Sequence, residues 1–175
     1  QPKADISVSL PLFHFYIVTF TTFSAAVISI LLAASMGPEA KPRHVLAASA
    51  FAVIGSVFFS HGLATPNALI DHFHPAVQWS AWLTLLGGGA LFACAALDMP
   101  TGGMPKWLPV KGIIYFAIGA VLLYSAVAAF APGALDVIQS QAAPWHAFTI
   151  FSLTFLLWLF ASARLWLIWR ATGDR

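Results

Sequence analysis

Five stretches of this sequence are each long and apolar enough to cross a lipid bilayer, and no other feature constrains its fold as tightly. A helix spans about 30 Å of hydrocarbon with roughly 20 residues. In lipid every backbone polar group must find its partner inside the structure, which leaves helices and closed barrels as the spanning forms. The runs cover about 10–35, 44–63, 75–97, 112–131 and 144–169. Gly37-Pro38 and Pro42 break the first, and Thr65-Pro66 stops the second. Pro75 lies in the first turn of the third, where its missing N–H costs nothing, and Pro132-Gly133 ends the fourth. The runs are continuous, which favours helices over the short alternating strands of a barrel. The expected fold is an all-α integral membrane protein: one bundle of five transmembrane helices, a single domain over 1–175.

Composition points the same way. Hydrophobic residues make up 60% of the chain and charged ones only 8%, against about 25% charged in an average soluble domain. A charge at mid-bilayer costs several kcal/mol, so this scarcity is what lipid requires. A net charge of +2 gives no reason to expect nucleic acid. Cys94 is the single cysteine, which excludes an intramolecular disulfide and a cysteine-based metal site. Between Ala93 and Ala95 it reads as a small packing residue. The first run is too long for the core of a cleavable signal, and no basic segment precedes it.

The basic residues give the bundle a direction. Lys41 and Arg43 follow the first span, Lys106 and Lys111 precede the fourth, and Arg164, Arg170 and Arg175 lie at the C-terminal end. With five spans those places share one side, and Lys3 alone stands on the other. The bias puts the N-terminus outside and the C-terminus in the cytoplasm, in a bacterial inner (plasma) membrane. Trp79, Trp82 and Trp145 then fall near outer helix ends and Trp107, Trp166 and Trp169 near inner ones, as interfacial belts would. The loops at about 62–74, 132–143, 36–43 and 98–111 are all too short to fold alone. Gly102-Gly103, in the breaker-rich turn after Asp98, reads as a connector.

On this topology the histidines form a pattern. His14 lies about one turn inside the first span, and His61 at the end of the second. Asp71, His72 and His74 lie just ahead of the third, and His146 opens the fifth. Only His44 falls on the cytoplasmic side. Four segments thus bring imidazoles to one outer level, with Asp71 and Asp136 as nearby carboxylates. Neutral imidazole suits copper, zinc, iron and nickel, and a metal site needs three or four donors at about 2 Å. The candidate metal ligands are His61, His72, His74, His146 and Asp71, the last as a direct ligand or as the partner of a ligand imidazole. Haem is the alternative cofactor, held by an axial histidine from one or two facing helices: His61 with His146, and His14 below. Clustered histidines also sense pH near neutrality, and histidines at lipid headgroups can be merely interfacial. No HExxH motif is present.

Within Phe59-Ser-His-Gly-Leu-Ala-Thr-Pro66, Gly62 would let the helix end in a left-handed turn, and Thr65-Pro66 would fix an extended exit. This turn resembles the His-Gly/Ala-x-x-Thr-Pro turn of multi-helix membrane input domains in bacterial sensors, where such domains precede cyclase or histidine-kinase modules. The resemblance covers about eight residues, with His61, Gly62, Thr65 and Pro66 as the matching positions. It implies an outward-facing ligand or metal sensor; no effector sequence follows the fifth span here.

Other features point to packing. Thr19, Thr21, Thr22, Ser24 and Ser29 in the first span are expected to bond their own helix or a neighbour. Gly87-Gly88-Gly89 permits close approach of another helix or a flat cofactor. Ion pumping wants carboxylates or histidines at mid-membrane, and none of these lies deeper than His14. Retinal attachment needs a lysine within a span, and none has one. Ser60 adjoins His61, but without an orienting acid or a nucleophile elbow. The reading is a module not catalytic by itself, binding copper or haem through outer histidines. It would act as a sensor input or accessory subunit of a membrane redox complex, with the lipid bilayer and other membrane subunits or a signalling module as partners. A haem-carrying electron-transfer subunit and a purely structural subunit are the alternatives.

Overall fold

The computed structural model of the chain describes residues 11–37, 40–98, 105–141 and 144–172, so Lys3, Gly102-Gly103 and Arg175 lie outside the described residues. Six helices follow one another: α1 (Pro11–Ser35), α2 (Pro42–Leu63), α3 (Ala76–Ala95), α4 (Val110–Phe130), α5 (Pro132–Gln141) and α6 (Pro144–Thr172). No strand occurs among the described residues. All but α5 are long and apolar enough to cross a membrane, so the five expected spans correspond to five helices.

Proline sets most of the starts. Its fixed φ and missing N–H are harmless in the first helical turn, and α1, α2, α5 and α6 each begin on one. Two expectations change accordingly. Pro42, read as a breaker of the first span, opens the second. The segment expected as a loop at 132–143 carries α5, started by Pro132 and anchored by Leu135, which is buried. A ten-residue amphipathic stretch beside two breakers is easily taken for a turn.

α2 and α3 form the centre of the bundle. α1 packs on α2, α4 on α2, α5 on α4 and α3, and α6 on α3. Apolar cores lie at both ends of the α2–α3–α4 contact. One gathers Val57, Ala76, Tyr124 and Leu135, the other Leu46, Ala50, Leu91 and Ala95. In lipid such contacts depend on close fit rather than on escape from water. Small residues supply that fit. An added Cβ at Gly88 would lie 2.8 Å from Ile54 of α2, and one at Gly89 would lie 2.9 Å from the indole nitrogen of Trp158 on α6. The glycine run therefore admits neighbouring helices on both sides of α3. Trp158 completes the seam by donating its indole N–H to the Leu85 carbonyl at 3.0 Å.

Two further expectations are revised. Trp82 is a core residue rather than a belt residue, being buried against its neighbours. Gly62 lies within α2, which continues to Leu63, and the left-handed residue of the exit is Asn67 at φ 58°. The turn after Thr65-Pro66 closes through Asn67, whose N–H donates to the Ile70 carbonyl at 2.7 Å. At the opposite end of the bundle Arg43 pairs with buried Asp98 at 3.4 Å, tying the start of α2 to the residues after α3.

Candidate functional site

His61 stands in the last turn of α2 and is only 6% exposed. A buried imidazole needs a partner on each nitrogen, and His61 has both. Its Nδ1 lies 2.7 Å from the Val77 carbonyl and 3.1 Å from Ser80 Oγ, both on α3. Its Nε2 lies 3.0 Å from Nε2 of His14 on α1. A carbonyl can only accept, so Nδ1 carries the hydrogen and Nε2 is the bare nitrogen. His14 Nε2–H then donates to His61 Nε2. The rings meet edge to face at 62° with centroids 5.2 Å apart, and Phe58 stacks on the other side of His61 at 5.0 Å.

The sequence brings α1 this close through small residues on one face of α2. Gly55 and Gly62 are seven residues apart, two helical turns, so they point the same way. A Cβ at Gly55 would lie 3.4 Å from the α1 backbone at Ala26 and Thr22, and one at Gly62 would lie 3.2 Å from Val18. Val18 and Ala25 are the buried residues of α1. Ser29 adds a hydroxyl bond across the seam to the Ala48 carbonyl at 2.9 Å. His14 then falls opposite His61, one turn before Val18. Thr65, in turn, donates to the His61 carbonyl at 3.0 Å and satisfies the end of α2.

The pair continues into a buried polar chain. Ser80 is fully buried, and its hydroxyl lies within bonding distance of the Ala76 and Val77 carbonyls. Tyr124 of α4 donates to the Ala76 carbonyl at 3.0 Å, the same carbonyl that the Ser80 hydroxyl meets. His14, His61, Ser80 and Tyr124 thus join α1, α2, α3 and α4 at one end of the bundle.

The remaining expected ligands stand elsewhere. Asp71 and His72 are exposed in the loop between α2 and α3. His74 Nδ1 accepts the Ala76 N–H at 3.2 Å, so it serves the start of α3, and its ring borders a cleft of about 940 Å³ between α1 and α4. His146 lies against Trp145 on α6, which takes its packing from α3 rather than from α2. Asp136 is exposed on α5. Among the described residues no three of histidine, cysteine, aspartate and glutamate come together around a point that could hold a metal. Of the six candidates, the structure unites two.

What the pair can hold follows from its dimensions. A haem between two histidines puts its plate between nitrogens that each bond iron at about 2 Å. At 3.0 Å the two Nε2 atoms leave no room for a macrocycle, and His61 has no third nitrogen to offer His146. A single small cation is a different matter, because one bare nitrogen already faces a second imidazole.

Sequence reasoning identified His14 and His61 but not Ser80 or Tyr124. The available signal was slight: a serine two residues after Gln78 in the mostly apolar opening of α3, and the second of two tyrosines on α4, two-thirds of the way along it. No family model, no curated protein and no solved structure matches this chain. The likeness of the His61-to-Pro66 turn to sensor input domains therefore rests on those residues alone.

Proposed function

We propose that this chain is a multi-pass module of a bacterial inner membrane that takes up a copper(I) ion at His14 and His61 on the outer face. It serves as a sensor input or as an accessory subunit of a membrane redox complex. The observation that carries the reading is the bare Nε2 of His61, fixed by Nδ1–H···O=C from Val77 and facing a second imidazole nitrogen at 3.0 Å. A ring nitrogen held to a backbone carbonyl while the other points at a ligand is the arrangement metal-binding histidines use. Two donors without a third among the described residues suit copper(I), which accepts two nitrogens in line, better than zinc, which takes four ligands.

Two bonds of about 2 Å in line require the nitrogens to stand roughly 4 Å apart. They must therefore separate by about 1 Å, and His14, exposed on α1, is the ring free to turn. In the copper form His14 carries its hydrogen on Nδ1, so no proton need leave the pair. The seven-to-one distribution of basic residues supports an orientation with the histidine end outside. The sensor role is supported by the polar chain that leads from the pair to α3 and α4.

The test is copper(I) titration of the purified protein under anaerobic, reducing conditions against a chromogenic copper(I) chelator. One equivalent should bind to the wild type and none to His61→Ala or His14→Ala. Full copper binding by His61→Ala would sink the proposal. Visible haem bands in the protein as isolated would favour the electron-transfer alternative instead.

A further inference from the structure

Three polar side chains in the bundle interior need an explanation that packing does not give. His61, Ser80 and Tyr124 are 6%, 0% and 7% exposed, and they come from three different helices. Each would be costly there without partners, and apolar residues would fill the same space more simply. Their hydrogens sort in one way. The Ser80 hydroxyl has one hydrogen, and its geometry directs it to the α3 carbonyls of Ala76 and Val77. Toward His61 it can then present only lone pairs, at 3.1 Å from Nδ1. The Nδ1 hydrogen thus meets two acceptors, the Val77 carbonyl and the Ser80 oxygen. Tyr124 donates to the same Ala76 carbonyl that Ser80 bonds, and so braces from α4 the acceptor that holds the hydroxyl where it is.

We infer that Ser80 is a positioning residue for the histidine pair, keeping the hydrogen of His61 on Nδ1 and its Nε2 bare, with Tyr124 bracing the shared Ala76 carbonyl from α4. This rests on the copper reading for its purpose, since a bare Nε2 is what a cation needs. The hydrogen placement itself does not depend on that reading. A merely structural Ser80 would bond its own helix and leave the imidazole hydrogen to Val77 alone.

The experiment uses the full chain labelled with ¹⁵N-histidine, without copper, and reads the two ring nitrogens of His61 by NMR. The wild type should show Nδ1 protonated and Nε2 bare. In Ser80→Ala a second form with hydrogen on Nε2 should appear, and copper(I) affinity should fall about tenfold, the loss that removing a ligand's hydrogen-bond partner brings. Tyr124→Phe, which keeps the ring and its packing, should give the same second form in smaller amount. A single Nδ1–H form in both variants overturns the inference, whatever copper does. If the wild type binds no copper while the second form still appears in Ser80→Ala, the positioning role stands and the copper reading fails.

Discussion

Two seams of this bundle solve the problem of helix contact by different means. Where α1 meets α2 at the histidine end, the polar groups that reach on to α3 and α4 are partnered: His14, His61, Ser80, Thr65 and Tyr124 each have a bond to a side chain or carbonyl. The one buried hydroxyl without a partner on this seam among the described residues, that of Thr22, lies two turns further along α1. Where α3 meets α6, contact is made by Gly88, Gly89, Leu157 and Trp158, with Ile54 of α2 also against Gly88. The faces carrying them also bear two buried hydroxyls, those of Thr84 and Thr154, without a partner among the described residues. The first seam invests in geometry of particular atoms, and the second in shape. A site that must hold an imidazole hydrogen on one nitrogen needs the former. A joint that only holds two helices together does not.

The most forceful way to break this contrast is at the shape-based seam. Gly89→Ala puts a methyl group 2.9 Å from the indole nitrogen of Trp158, with Leu157 Cβ at 3.4 Å behind it. Trp158 must move, and its bond to the Leu85 carbonyl goes with it. Overpacking of this kind costs about 1–3 kcal/mol, read as a lower unfolding free energy in detergent. Gly88→Ala puts its methyl group 2.8 Å from Cδ1 and Cγ1 of Ile54, with Trp158 in ordinary contact at 3.5 Å, and should cost less because the Ile54 side chain can turn away without losing a hydrogen bond. Copper affinity should be unchanged in both. A loss of copper from Gly89→Ala with the bundle still folded would show that the two seams act as one.

The opposite manipulation sharpens the contrast by improving the seam. Thr154→Val keeps the shape and removes a buried hydroxyl that has no partner among the described residues. Relief of that burial should stabilise the protein by about 1 kcal/mol. The analogous removal at the other seam, Ser80→Ala, deletes a partnered hydroxyl and should destabilise. If both changes had the same sign, the distinction between partnered and unpartnered polar groups would not describe this bundle.

Much of the shape was legible in the residues. Continuous apolar runs of about 20 residues marked five helices long enough to span, because barrel strands are shorter and alternate, and Gly87-Gly88-Gly89 announced a close approach. The helix α5 was not legible, because Pro132-Gly133 signals a break as well as a start. The role of Gly62 was misread as conformational when it is spatial: a glycine in a helical run has no local mark that tells room for Val18 from a left-handed turn. At the site, the common level of the histidines was visible. Which of them meet was not, since helix adjacency is long-range information. Gly55 and Gly62 on one face of α2, facing Val18 and Ala25, were the residues that held it. Ser80 and Tyr124 carry nothing in sequence that separates them from ordinary polar residues at a helix end.

The smallest expected effect bears on the site most directly. His72 and His74 share the loop level of the pair, and a cluster of four ligands would require them. Their surroundings argue otherwise: His72 is exposed, and His74 already gives Nδ1 to the Ala76 N–H. A His72→Ala, His74→Ala double variant should therefore bind copper(I) with wild-type stoichiometry and affinity. It should lose only the bond from the Ala76 N–H to His74 at the start of α3, about 1 kcal/mol for one hydrogen bond. His146→Ala, on a helix that packs beyond α3, should leave binding equally untouched. A tenfold or greater loss in the double variant would mean that the loop folds over the pair when copper enters and that the site has four donors. An unchanged affinity leaves His14 and His61 as the whole of it, and makes the fixed hydrogen of His61, rather than the number of histidines, the feature that selects the ion.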